Sequence, residues 1–300
     1  MARRRDVVIG VIIGAAFLIV LGMMALMFAG AMVSDGDVAL GSLGGAVGIV
    51  PMYGVIDEST GRPVIETLER WRDNRSIKAV VIHVNSPGGG TAISQEIHNE
   101  ILRLREKKPV VISMAEVAAS GGYYISCAAD RIVANPGTVT GSIGVIISFH
   151  TFAGVFDKIG IGTETVKSGE FKDVGSYSRD MTEDEKLMLQ AVVTDSYEQF
   201  VEAVVEGRGM EREEVYAVAD GSIYTGLQAL NLGLVDSLGG LSDAVRIAGN
   251  MAGLGDEPNV VRPREKRRSY LSDLLSGVLG DIGQQVQGSS VGPRLEYIYK

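Results

Sequence analysis

Ala79-Val80-Val81-Ile82-His83-Val84, then Asn85-Ser86-Pro87-Gly88-Gly89-Gly90, then Thr91–Lys107 follow one another without a break, and their reading decides the fold class. The first is a compact apolar run interrupted only by His83, as in a strand buried on both faces. The second carries the turn residues that end a strand. The third returns apolar side chains at Ile93, Ile97, Ile101 and Leu104, the spacing of an amphipathic helix. The alternation continues on both sides. Upstream, Val47–Val50 and Gly54–Ile56 are short apolar runs, and Val64–Arg72 has helical spacing at Val64, Ile65, Leu68 and Trp71. Downstream, Val110–Met114 reads as a buried strand, Ile132–Ile147 as a glycine-punctuated β segment and Thr163–Val166 as a short strand. Thr182-x-x-Glu185 is a capping box that opens a long helix to about Glu206, stopped by Gly207. Strands and helices at this spacing predict an α/β domain with a largely parallel sheet over residues 46–250.

Composition narrows the class of protein. A hydrophobic fraction of 46% and a charged fraction of 22% exclude global disorder. The formal net charge, 28 − 37 = −9, argues against a nucleic-acid partner. The single cysteine, Cys127, excludes an intramolecular disulfide framework and a Cys-based zinc site.

The two ends differ from the middle. Arg3, Arg4 and Arg5 in residues 1–6 precede an uncharged stretch over residues 7–33. At about 1.5 Å per residue that stretch reaches roughly 40 Å, more than the ~30 Å hydrocarbon core. Ala29-Gly30-Ala31 resembles a signal cleavage site. Signal cores, however, run to only about 7–15 residues, so the length favours a retained transmembrane anchor. The arginines place the amino terminus in the cytoplasm and everything after the span outside it. Residues 34–45, rich in Gly, Asp and Ser, read as a tether. Residues 251–300 hold a basic run, Arg262–Arg268, and an amphipathic stretch, Tyr270–Val286, suited to packing on a body or neighbour, or to a membrane surface.

Chemistry concentrates in two glycine-bearing segments. Asn85–Gly90 lies between a strand and a helix, where consecutive glycines let a backbone approach a ligand closely. Ala118-Ala119-Ser120-Gly121-Gly122-Tyr123-Tyr124 places a serine after a strand, flanked by small residues, at the opening of an apolar helical turn. Loops at the carboxyl ends of neighbouring strands converge in an open α/β sheet, so the amides of Gly89 and Gly121 are candidates to hold an oxyanion. Two ordinary turns are the alternative. A Ser-His-Asp triad, whose members can be distant in the chain, stays open, but nothing in the sequence points to it: His83 sits inside an apolar strand, His98 on a helix, and with His150 they form no metal-binding spacing. Without a placed histidine, the remaining candidate base for a serine nucleophile is a lysine of lowered pKa. Lys167 and Lys172 both stand in Val166–Ser176, and composition does not choose between them.

Seven motifs, in order, carry a resemblance: N-S-P-G-G-G at 85–90, A-A-S-G-G-Y-Y-I-S at 118–126, T-G-S-I-G-V at 140–145 and K-S-G-x-x-K-D at 167–173, then S-R-x-M-T-x-x-E at 178–185, G-R-G-M at 207–210 and A-D-G-x-x-Y-x-G-x-Q-A at 219–229. From about Gly48 to Leu241 the chain resembles the signal peptide peptidase A family, membrane-anchored serine–lysine proteases with a ClpP/crotonase-like fold of repeated ββα units. The resemblance implies Ser120 as nucleophile, Lys172 as general base, Gly89 and Gly121 as oxyanion donors, and Ser142 as the serine that orients the lysine. Lys167 matches a lysine outside the dyad. It further implies remnant signal peptides as substrates, a homo-oligomeric ring with serine and lysine shared between neighbouring subunits, and no cofactor, since neither metal nor nucleotide is required. Other readings are an NfeD-type membrane protease, a crotonase-like acyl-CoA enzyme and a non-enzymatic scaffold.

Overall fold

The apolar runs pair side by side. The computed structural model describes residues 14, 17–24, 44–263 and 296–298. Strands β1 (Ala46–Tyr53), β2 (Ile77–Ser86) and β4 (Val110–Ala119) are parallel neighbours, with Val50 opposite Ile82 and Ile82 opposite Ile112. The alternation of side chains along each strand divides the core in two. Val50, Met52, Val80, Ile82, Val84, Ile112 and Met114 face one layer of helices: α1 (Glu58–Asp73), α2 (Thr91–Arg105) and α3 (Gly121–Ser126). Val47, Ile49, Ala79, Val81 and Val111 face Ala244 and Ala248 of α8 (Leu241–Met251). Helices on both faces explain why the strands read as continuous apolar runs.

The sheet forks at β4. The first half of β4 pairs with β5 (Arg131–Ala134), and its last residues pair with β6 (Val139–Gly141), Ala119 standing opposite Gly141. Beyond β6 lies an antiparallel edge strand, β7 (Ile223–Thr225), and β5 continues to β8 (Ser237–Leu238). A three-residue strand, β3 (Gly88–Gly90), follows β2 directly, so β2–β3–α2 is one strand–strand–helix unit. The body extends past residue 250: β9 (Val260–Val261) pairs with β1, and β10 (Glu296–Ile298) pairs with β3.

Several boundaries differ from expectation. Helix α1 begins at Glu58 and runs through Pro63, because Asp57 accepts hydrogen bonds from the Ser59 and Thr60 amides while Thr60 Oγ1 accepts from Asp57 N. No strand forms at 163–166, where every residue is exposed and nothing pairs alongside. The capping box at Thr182 and Glu185 opens α5 (Glu183–Arg208) as expected. That helix passes through Gly207 and stops at Gly209, whose φ of 63° lets the chain turn off the helix axis. The expected 7–33 anchor lies largely outside the described residues, of which 17–24 are helical and exposed. Among the described residues no helix is long and apolar enough to cross a membrane. Tyr270–Val286 lies outside them as well.

Gly207 is inside α5 because α5 crosses the end of α3 there. A Cβ at Gly207 would stand 2.2 Å from the Cys127 carbonyl oxygen and 2.8 Å from its Cβ. Helix propensity favours alanine over glycine by roughly 1 kcal/mol. A clash against backbone outweighs that gain. Gly207→Ala is therefore expected to destabilise the protein by about 1–3 kcal/mol, read as a lower urea midpoint at unchanged slope; a raised midpoint would contradict the packing.

Candidate active site

Three parallel strands, β2, β4 and β6, deliver their carboxyl ends to one place. Each ends in a backbone conformation that an ordinary strand does not adopt.

At the end of β4, Ser120 has φ 51° and ψ −116°. A left-handed φ on a non-glycine residue costs on the order of 1–3 kcal/mol, and the surroundings must impose it. Here the Ser120 amide donates to Gly141 O at 2.8 Å, and its carbonyl accepts from Tyr124 N at 2.8 Å. The residue is buried, 1% exposed, and Oγ has no hydrogen-bond partner among the described residues. An unpaired buried hydroxyl is itself costly. Strain and an unsatisfied nucleophilic atom coincide on one residue.

Ser142 stands beside it. Ala119 and Gly141 are register partners, so Ser120 and Ser142 lie one step further along adjacent strands, roughly 5 Å apart at the backbone. Ser142 also has φ 51°, and its amide donates to Ser222 O at 2.7 Å.

The end of β2 closes the corner. Gly88 has φ +101°, and its amide donates to Ser86 Oγ at 3.0 Å. The Ile56 amide donates to Gly88 O, and the Gly90 amide to Ile56 O, each at 2.8 Å. A Cβ on Gly89 would stand 2.0 Å from Ile56 O, and one on Gly88 would stand 2.7 Å from Gly121 N. Gly121 in turn lies against Gly88 Cα, 3.2 Å from where its own Cβ would be. The structure thus brings Ser120, Ser142, Gly121 and the Gly88–Gly90 strand together. Gly88, which sequence reading passed over in favour of Gly89, makes the closest approach to Gly121. The signal for it was the run of three glycines, where only tertiary contact tells one from the next.

Lys172 is elsewhere. It sits, exposed, in a 3-10 turn at Glu170–Asp173 and does not reach Ser120 Oγ within the chain. A clamp holds that turn. Lys167 Nζ donates to Glu170 O at 2.8 Å and pairs with Asp173 at 2.6 Å; Arg179 bridges Asp173 to Glu185. Glu185 is buried and accepts from the Thr182 amide, so the clamp is tied to the first turn of α5. Hydrogen bonds from Arg179 draw the Glu185 carboxyl down to about 2, and those from Arg179 and Lys167 hold Asp173 well below the usual carboxylate range. Lys167 is thereby occupied as an ion-pair partner.

His83 and His98 are held within the body of the fold. His83 Nδ1 lies 3.1 Å from both the carbonyl oxygen and Oγ of Ser113. His98 is buried against Tyr124, and burial pushes its imidazole down to about 4.

Comparison with known proteins shows the family. Residues 103–255 match the model of peptidase family S49. The chain is 41% identical over 228 residues to "Putative protease slr0021" of Synechocystis, covering 76% of this chain and 82% of that protein. It is 41% identical over 179 residues to "Putative signal peptide peptidase SppA" of Enterococcus faecium, covering 59% and 52%. It is 37% identical over 217 residues to "Serine protease SPPA, chloroplastic" of Arabidopsis thaliana, covering 72% of this chain and 32% of that protein. Among solved structures, a ClpP1 mutant from Listeria monocytogenes aligns over 66% of this chain and 94% of its own, at TM-score 0.46 and 18% identity.

The clamp has a pH signature. Both carboxylates titrate lower when folded than when unfolded, so their contribution is complete above about pH 4.5 and is lost as pH falls toward 2. Amide exchange in residues 167–181 should stay slow down to about pH 4.5 and accelerate below it. Arg179→Ala should show fast exchange already at neutral pH; unchanged protection in that variant would refute the clamp.

Proposed function

The chain belongs to peptidase family S49 and is a serine protease; from that premise we propose a membrane-anchored endopeptidase that degrades remnant signal peptides and other short or unfolded chains. Ser120 is the nucleophile and Lys172 the general base. The observation that carries this reading is Ser120 itself: a buried, strained serine with an unpartnered Oγ, beside the Gly88–Gly121 corner. Membership of this family sets aside the acyl-CoA alternative.

The chemistry runs as acyl transfer. Neutral Lys172 Nζ takes the proton from Ser120 Oγ as that oxygen attacks a peptide carbonyl. The amides of Gly121 and Gly89 receive the negative oxygen of the tetrahedral intermediate. Lysine returns the proton to the leaving amine, and water then hydrolyses the acyl-enzyme. Ser142, next to Ser120 on the neighbouring strand, orients the lysine.

Lys172 comes from a second copy of the chain. Supporting this, it is exposed and out of reach of Ser120 in its own chain, on a segment that also exposes Phe152 (51%), Ile159 (60%) and Phe171 (42%). Apolar side chains gathered on one exposed segment are suited to burial against another subunit. A site completed only on assembly spares folded proteins in the surrounding compartment. The uncharged 7–33 stretch, with arginines before it, supports an anchor that holds the catalytic domain outside the cytoplasm and near peptides left in the bilayer. A short tether raises the effective concentration of such substrates.

Ser120→Ala should lower turnover of a fluorogenic peptide by at least a thousandfold and abolish labelling by a fluorophosphonate probe. Lys172→Ala should be comparably inactive. Mixing the two inactive chains under conditions of subunit exchange should restore a fraction of wild-type activity. Silence from co-assembled mixtures would show that each subunit holds its own dyad.

A further inference from the structure

Ser142 holds a left-handed φ of 51°, and a serine does not keep that conformation unaided. Its surroundings show what imposes it. Strands β6 and β7 are antiparallel, with Thr140 opposite Tyr224 and Gly141 opposite Ile223. Continuing that register one step sets Ser142 against Ser222. In an antiparallel ladder a bonded pair exchanges both of its N–H···O bonds. The first of these is made: the Ser142 amide donates to Ser222 O at 2.7 Å. The second donor is diverted. The Ser222 amide donates instead to Asp220 Oδ1 at 2.9 Å, closing a local turn across Gly221, whose φ is +88°. Next along, the Gly221 amide donates to Ile143 O at 3.1 Å, a bond that a regular ladder, which skips alternate pairs, would not contain.

This diversion acts on Ser142. Its amide is fixed by Ser222 O while its carbonyl is released from Ser222, so the chain can turn at Ser142 itself. The Ser222 carbonyl is held close: a Cβ on Gly141 would stand 3.1 Å from it and 2.7 Å from the Tyr224 ring. Val218 and Ala219, immediately before Asp220, are buried in the core and anchor the turn from behind. Asp220 is exposed, and hydrogen bonds from the Ser222 hydroxyl and amide hold its carboxyl below the usual carboxylate range. Asp220 and Ser142 line one cavity of about 570 Å³.

We propose that Asp220 is a positioning residue for the peptidase reaction: by taking the Ser222 amide it fixes Ser142 in its left-handed turn, and so sets the hydroxyl that orients the lysine. The proposal rests on the reading of Ser142 as the residue that orients Lys172. Asp220 acts through Ser222 and Ser142 and not on the substrate. Asparagine offers the same acceptor oxygen without the charge, whereas alanine offers none. In Asp220→Ala the Ser222 amide is free to return to Ser142 O and draw Ser142 back into the ladder.

Variants of the full chain test this. Asp220→Ala should lower kcat for a fluorogenic peptide about tenfold with KM within about twofold of wild type, the pattern of a group that serves the transition state and not binding. Asp220→Asn should keep at least about half of the wild-type kcat, because the turn survives. Ser142→Ala should lose at least as much as Asp220→Ala, and combining the two should cost less than about twofold more, because they act in series. In crystal structures Ser142 should leave the left-handed region in Asp220→Ala and keep it in Asp220→Asn. Ser142 unmoved in Asp220→Ala, losses that multiply in the double variant, or an Asp220→Asn as impaired as Asp220→Ala would each overturn the proposal. Full activity in Ser142→Ala, with Ser142 displaced in Asp220→Ala, would uphold the link between Asp220 and Ser142 while removing the lysine-orienting reading of Ser142.

Discussion

Two main-chain segments meet so closely at Gly88 and Gly121 that no side chain fits between them. The rest of the site follows from this contact. It requires β2 and β4 to end at the same level, which their parallel pairing provides through a register shift, Val84 standing opposite Met114 but Ser86 opposite Ala118. It requires Gly88 at φ +101°, a conformation that L side chains rarely adopt. It also leaves backbone amides at the corner where a carbonyl oxygen can approach, and the carbonyl of Tyr297 stands there. An added methyl at Gly88 would have to move backbone, and one at Gly121 would meet Ser94 Oγ at 2.9 Å with backbone just beyond it.

The strain collected at this corner is held by the layers beneath it. Ser120 and Ser142 share a left-handed φ and sit at adjacent strand ends, each fixed by a backbone hydrogen bond of 2.7–2.8 Å. Under them, β2 and β4 bury apolar side chains on both faces, Ile82 and Ile112 on one and Val81 and Val111 on the other. Each such side chain contributes on the order of 1.5–3 kcal/mol on burial. One buried residue therefore offsets roughly one strained turn. The corner can remain in an unfavourable conformation because the central strands have few alternatives.

The lysine segment is organised differently. It has almost no buried apolar surface, and its order comes from ion pairs among Lys167, Asp173, Arg179 and Glu185. Only Glu185 is deeply buried, so the clamp is anchored at one end, on α5. The Ser120 corner is held by the packed central strands, whereas the segment at 167–181 is held by ion pairs near the surface.

The parallel sheet was legible in the sequence because a strand buried on both faces must be apolar at every position, as at Ala79–Val84. The Thr182 box was legible because its hydrogen bonds are local. Gly89, Ser120 and Gly121 were recognisable from strand-end logic, since turn chemistry is written in consecutive residues, whereas Ser142 was named only by the family resemblance. Tertiary structure alone decided the rest. Gly207 reads as a stop, yet it is a crossing point, because Cys127, eighty residues away, needs the space. Residues 163–166 read as a strand, yet no neighbouring backbone pairs with them. Gly88 could be ranked above Gly89 only once Gly121 was beside it. Tyr297 carries no local signal at all: its burial depends on β3, residue 146 and the rings of Tyr124 and Phe200. Local rules determine which segments form, because their hydrogen bonds close within a few residues; distant segments determine which of those residues meet, because close packing has no sequence address.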